Sequence, residues 1–151
     1  GWTSTTFAVR PWPSDRFVTI HEVDQMTDDR RTLLLDARSR ERYRGDPNPI
    51  DPRFGHILGA VTAPSTANLG ESGRLLDEAE LRRAYTALGA DQRPVVVYCG
   101  SGVSACLDLL ALRRAGLPDG RLFVGSWSAW GADHDRPLET GPSRPANETG
   151  E

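Results

Sequence analysis

Lysine is absent from this 151-residue chain. All 18 basic residues are arginine, which excludes Schiff-base chemistry on a lysine amine. Cysteine is nearly absent too. Cys99 and Cys106 are the only two, and without a CxxC cluster neither a disulfide framework nor a zinc site is expected. The three histidines, His21, His56 and His134, are scattered with no i, i+4 pairing, so no metal and no other cofactor is expected. No apolar run approaches the roughly 20 residues that cross a bilayer, which excludes a membrane-spanning helix. No charged-then-apolar leader with a small-residue cleavage site opens the sequence. A reducing cytoplasm, where a free thiol survives, is the expected location. The net charge of -3 argues against a nucleic-acid binder working through a general basic surface.

The length suits about one domain with its own core. Residues 1–17 are polar and broken by proline, and read as a linker with an edge strand. A short helix is expected over 21–26 with Thr19 as cap. Leu33-Leu34-Leu35 running into Asp36 suits a strand buried on both faces. A short helix over 38–43 follows. The stretch 45–55, with Pro47, Pro49 and Pro52, must be a loop, and loops of that length are often functional. A strand near Ala60-Val61 precedes an amphipathic helix over 77–88 stopped by Gly89. Val95-Val96-Val97-Tyr98-Cys99 is the clearest strand. It leads through Gly100-Ser101-Gly102 into a helix closed by Gly116, and a last strand covers 121–124. The composition of 137–151 is disorder-prone. Strands alternating with helices predict an α/β fold with a parallel sheet.

Cys99 ends a buried strand just before a Gly-rich loop and a helix, the place where open α/β sheets bind ligands. Two glycines let the loop amides turn inward, and a helix N-terminus favours negative charge. A thiol there is expected to ionise below the ordinary value of about 8.5. The loop Gly100-Ser101-Gly102-Val103-Ser104 would then cradle an anion, with Ser101 and Ser104 adding hydroxyls. Cys106, two turns along the helix among Ala105, Leu107 and Leu110, is expected to be core.

Four segments in order, LLLDARSRERYRG (33–45), GHILGA (55–60), VVVYCGSGVSAC (95–106) and FVGSWSAWGAD (123–133), resemble the rhodanese superfamily of sulfurtransferases. The likeness is to the C-terminal, catalytic domain of the two-domain members. It spans roughly 17–140, so the chain divides into a segment 1–17, a domain 18–140 and a flexible tail 141–151. The resemblance implies a three-layer fold with a mainly parallel central sheet flanked by helices. It implies that Cys99 accepts a sulfane sulfur as a persulfide and passes it to a thiol, such as that of thioredoxin, or to cyanide. An N-terminal rhodanese-like domain outside this sequence is the implied partner, along with a small-molecule sulfur donor.

Within that resemblance, Cys99-Gly100-Ser101-Gly102-Val103-Ser104 is similar to the 3-mercaptopyruvate type rather than the thiosulfate type, whose loop is basic. Ser101 matches a family serine that helps polarise substrate or activate the thiol. Arg42 matches the arginine that takes the substrate carboxylate. Ile50 replaces a second family arginine, and Arg53 is the expected substitute. Asp36 and Arg38 match a pair that supports the loop. His56 is read as structural, and Trp127 and Trp130 as packing. Two other functions fit the residues less well. A cysteine phosphatase needs an arginine where Ala105 stands. A binding-only module has no use for the retained cysteine and glycines.

Overall fold

The computed structural model describes residues 4–9, 11 and 13–142. Most of the tail expected over 141–151 lies outside the described residues, as does part of segment 1–17. At the centre are two strands, β2 (Leu33–Asp36) and β5 (Val95–Tyr98), buried at all four positions each. They pair in parallel, Leu33 opposite Val95 through Asp36 opposite Tyr98. With β1 (Phe17–Val18), β4 (Val61–Thr62) and β6 (Arg121–Phe123) they form a parallel sheet in the order β1-β6-β5-β2-β4.

Side-chain alternation divides the core. Leu33, Leu35, Val95 and Val97 enter one layer, packed with Leu81 and Tyr85 of α3 (Glu78–Ala87) and Ala105, Ala111 and Leu112 of α4 (Ala105–Arg114). Cys99 falls on this same face. Leu34, Val96 and Tyr98 enter the other layer. There they meet Val23 of α1 (Ile20–Asp29), Ile57 of β3 (His56–Ile57), and Trp127 and Trp130 of α5 (Ser126–Ala132). Helices on both faces explain why β2 and β5 are apolar runs rather than alternating ones. This is the α/β arrangement the sequence predicts.

Local chemistry sets the boundaries. Thr19 and Glu22 form a reciprocal capping box at α1, and Asp77 and Glu80 do the same at α3, each satisfying two otherwise orphaned donors. The α1 helix runs to Asp29, past the expected end at Met26, and stops where Arg30 takes a left-handed conformation. Ser39 caps α2 (Arg40–Arg44), so Arg38 precedes the helix and its side chain turns inward.

The ribbon of β3 with β7 (Leu138–Glu139) and helix α5 both depart from the sequence reading. The β7 strand runs antiparallel to β3, although its surroundings read as disorder-prone. Gly55 makes the crossing feasible: its φ is +135°, and a Cβ there would lie 2.5 Å from the Glu139 carbonyl oxygen. Helix α5 is the other departure. It is short, and no side chain caps its N-terminus, so it carries no start signal. No helix among the described residues is long and apolar enough to cross a membrane.

Candidate active site

The β5 strand delivers Cys99 to the start of the glycine loop, and α5 holds it there. Trp127 N–H donates to the Cys99 carbonyl at 2.9 Å, and Ser128 N–H to the Gly100 carbonyl at 2.9 Å. These are first-turn amides that a helix leaves unpaired. Ser128 Oγ adds a second bond to the Gly100 carbonyl at 2.7 Å. Ser126 Oγ accepts from Cys99 N–H at 3.2 Å and donates to the Phe123 carbonyl at 2.9 Å. The Ser126 backbone is left-handed, with φ +51°, an uncommon state for a residue with a Cβ.

The loop then turns back on the sulfur. Gly102 N–H donates to Cys99 Sγ at 3.1 Å. Gly102 has φ +86°, and a Cβ there would sit 3.0 Å from the Val124 carbonyl oxygen, so the turn needs glycine on both counts. Cys99 is 2% exposed and forms the floor. Ser101, Val103 and Ser104 are exposed and form the rim. Ser104 makes no side-chain cap bond to α4.

Beside the loop lies a chain of alternating charges. Arg38 donates to Asp36 through Nε at 3.0 Å and Nη2 at 2.6 Å, and also to the Gly55 carbonyl at 2.7 Å. Its guanidinium lies 4.4 Å over the Trp127 ring. Burial works against the Arg38 charge, but the bonds and attraction of Asp36 outweigh it and raise the guanidinium's pKa above its ordinary value. Arg38 Nη1 reaches Asp51 Oδ2 at 3.3 Å. Asp51 in turn holds Arg42, Nε at 3.0 Å and Nη2 at 2.5 Å. Burial pushes the Asp51 carboxyl up, but Arg42, Arg38 and the Asn48 amide together hold it below the usual range. The Arg42 guanidinium rests on the loop: a Cβ on Gly100 would lie 3.0 Å from Nη2 and 3.7 Å from Nη1.

Two expected residues meet different geometry. Arg53 is no free cation for substrate. It donates to the carbonyls of Gly131, Asp133 and Arg136 at 2.8–3.0 Å and reaches those of Trp130 and His134, so it caps the C-terminus of α5, where carbonyls lack partners. Cys106 is not core but exposed. The inward face of α4 carries Ala105, Asp108, Ala111 and Leu112, and position 106 turns away from it. The Cys106 thiol donates to the Gly102 carbonyl at 3.3 Å and lines an open groove of about 540 Å³ with Phe17, Leu109 and Leu122. Three residues of the site, Asp51, Ser126 and Ser128, escape sequence reasoning. A serine on either side of Trp127 was the available signal for the last two.

His56 is buried and stacked on Tyr43, ring centroids 3.7 Å apart. Its Nδ1 lies 2.7 Å from the Tyr43 carbonyl oxygen, which assigns the proton to Nδ1. Burial lowers its pKa. Trp127 and Trp130 are fully buried.

A second polar cluster lies on the α3/α4 side. Asn68 Nδ2 donates to Asp108 Oδ1 at 2.7 Å, and Tyr85 Oη to Asn68 Oδ1 at 3.0 Å. Asp108 is fully buried, and its Oδ2 has no hydrogen-bond partner among the described residues. Burial raises its pKa to about 8. Among the described residues, no group of three or more ligating side chains could hold a metal.

Residues 19–133 match the profile of the rhodanese-like domain. The chain belongs to the rhodanese-like family. As such it is similar to a probable 3-mercaptopyruvate sulfurtransferase of Pseudomonas aeruginosa, 51% identical over 110 residues, covering 72% of this chain and 39% of that protein. It is also similar to a putative thiosulfate sulfurtransferase, SseB, of Mycobacterium tuberculosis, 46% identical over 109 residues, with 72% and 38% covered. This rhodanese-like chain therefore spans a little under two fifths of the length of these curated relatives. A structure of an EanB variant with ergothioneine superposes with a TM-score of 0.81 at 22% identity, covering 94% of this chain and 36% of that one. At that identity the likeness concerns the fold.

Proposed function

We propose that the protein is a sulfurtransferase in which Cys99 carries a sulfur atom from 3-mercaptopyruvate to a thiol or to cyanide. The observation that carries this reading is the Cys99 sulfur held under the Gly102 amide at 3.1 Å, with the Arg42 guanidinium packed against the next residue. The Cys99 thiolate attacks the donor sulfur. The carbon–sulfur bond breaks, its electron pair leaves as the enolate of pyruvate, and Cys99 keeps the transferred sulfur as a persulfide. An acceptor thiolate, such as that of reduced thioredoxin, then attacks the outer sulfur and returns the Cys99 thiolate. Cyanide would leave as thiocyanate.

In this reading the amides of Gly100, Gly102, Val103 and Ser104 cradle the anion, and Ser101 polarises the donor. Arg42 takes the carboxylate, a task suited to a planar fork. The Asp36–Arg38 pair supports the loop from below. With Arg53 occupied at α5, carboxylate recognition rests on Arg42. In the whole protein an N-terminal rhodanese-like domain closes the pocket over Cys99. Thiosulfate is the second donor to consider, because a relative named for it lies at 46% identity. The same persulfide would form from it, with sulfite leaving.

The test is mass spectrometry of a Cys106→Ser background after treatment with 3-mercaptopyruvate. One added sulfur is expected on the peptide containing Cys99, and none in Cys99→Ser. Sulfur release from both donors at matched pH should favour 3-mercaptopyruvate. A thiosulfate preference would overturn the donor assignment, and no adduct would overturn the function.

A further inference from the structure

Arg42 is not a bare positive charge. Asp51 takes its Nε and Nη2 edge side-on, at 3.0 and 2.5 Å. The other edge of the fork, Nη1 with Nη2, is the one lying against Gly100. Asp51 itself is fixed. Its side chain is 2% exposed, Asn48 Nδ2 donates to it at 3.0 Å, and Asn48 Oδ1 accepts from the Ile50 and Asp51 amides at 3.1 and 2.9 Å. The arginine wall thus contains two acids, Asp36 and Asp51, and two guanidiniums, Arg38 and Arg42. It offers aimed donors with no net charge.

Resting on the sulfurtransferase reading above, we propose that Asp51 is a specificity-determining, positioning residue. It aims the open edge of Arg42 at the loop and cancels its charge, so that the site takes a monoanionic α-keto carboxylate in preference to a dianion. A carboxylate matches a two-donor edge in shape. A dianion gains chiefly from net positive charge, which Asp51 removes.

The test is calorimetric titration of the intact protein carrying Cys99→Ser, with pyruvate as the monoanion and sulfate as the dianion. Asp51→Asn should shift the ratio of the two affinities towards sulfate by about tenfold, the size of one charge-assisted contact. In an Arg42→Gln background, Asp51→Asn should shift the ratio far less, because only the charge and not the aimed edge is then altered. Equal weakening of both anions, or the same shift without Arg42, would overturn the proposal. So would wild-type pyruvate binding that Arg42→Gln does not touch, or the absence of any pyruvate binding. Should Asp51→Asn fail to fold, Arg42→Lys replaces it. A point charge cannot present the two-donor edge, so the pyruvate preference should fall, and an unchanged ratio would overturn the proposal. Sulfur uptake on Cys99 is scored separately by mass. Its failure alongside an intact ratio shift would sink the function reading and leave Asp51's role standing.

Discussion

Asp36 and Asp108 are both fully buried, and they sit in opposite chemical settings. Asp36 has a guanidinium laid along both its oxygens, and the charge pattern continues through Asp51 to Arg42. Asp108 is bonded to an amide, with a phenol beside it, and its second oxygen has no partner among the described residues. The first is the interior end of a chain that surfaces at the sulfur loop. The second touches only its own cluster. A guanidinium pairs the first carboxylate, whereas at Asp108 burial favours the neutral acid.

Arg38→Met makes the first cluster resemble the second and should have the largest effect. It leaves Asp36 without its cation and takes one partner from Asp51. Breaking a buried pair costs about 3–5 kcal/mol, measurable by urea unfolding. A loss below about 1 kcal/mol would mean that the pair carries little stability. Asp108→Asn acts the other way and depends on pH. The folded value of about 8 lies above the unfolded value of about 4. Between these the folded chain binds more protons, so stability falls as pH rises through that window. The uncharged amide removes the slope, with a gain of about 1–3 kcal/mol at pH 9 and little change at pH 4. Unfolding curves at the two pH values give the comparison, and an equal shift at both would refute the buried neutral acid. Tyr85→Phe is the smallest change. It removes the donor to Asn68 and should cost about 1 kcal/mol, read as a modest fall in the thermal midpoint with the Asp108 slope retained.

What could be read from the sequence follows the range of the interactions. β2 and β5 announce themselves as continuous apolar runs, and α3 through a cap residue, an amphipathic face and a terminating glycine. Their cores lie where expected. The β3–β7 ribbon has two residues per strand, too few for any periodicity, and its pairing joins positions 83 apart, His56 with Glu139. Asp36 and Arg38 are two residues apart and legible as a pair. Asp51 meets Arg42 from nine residues away, and Ser126 and Ser128 meet Cys99 and Gly100 from 27 and 28 away. No local pattern encodes such meetings. Arg53 is held by carbonyls 77–83 residues downstream, equally beyond any local pattern. Cys106 failed through helical phase: one step from Ala105 carries it about 100° around α4 and off the core face.

The position of Cys106 changes how the chain's thiols will be counted. It stands in an open groove while the loop sulfur lies beneath its own amide. A bulky alkylating reagent therefore lands first on α4, and a protein with one equivalent incorporated still has its deeper thiol intact. Titres of reactive sulfhydryl, read without mapping the label to a peptide, would report the bystander.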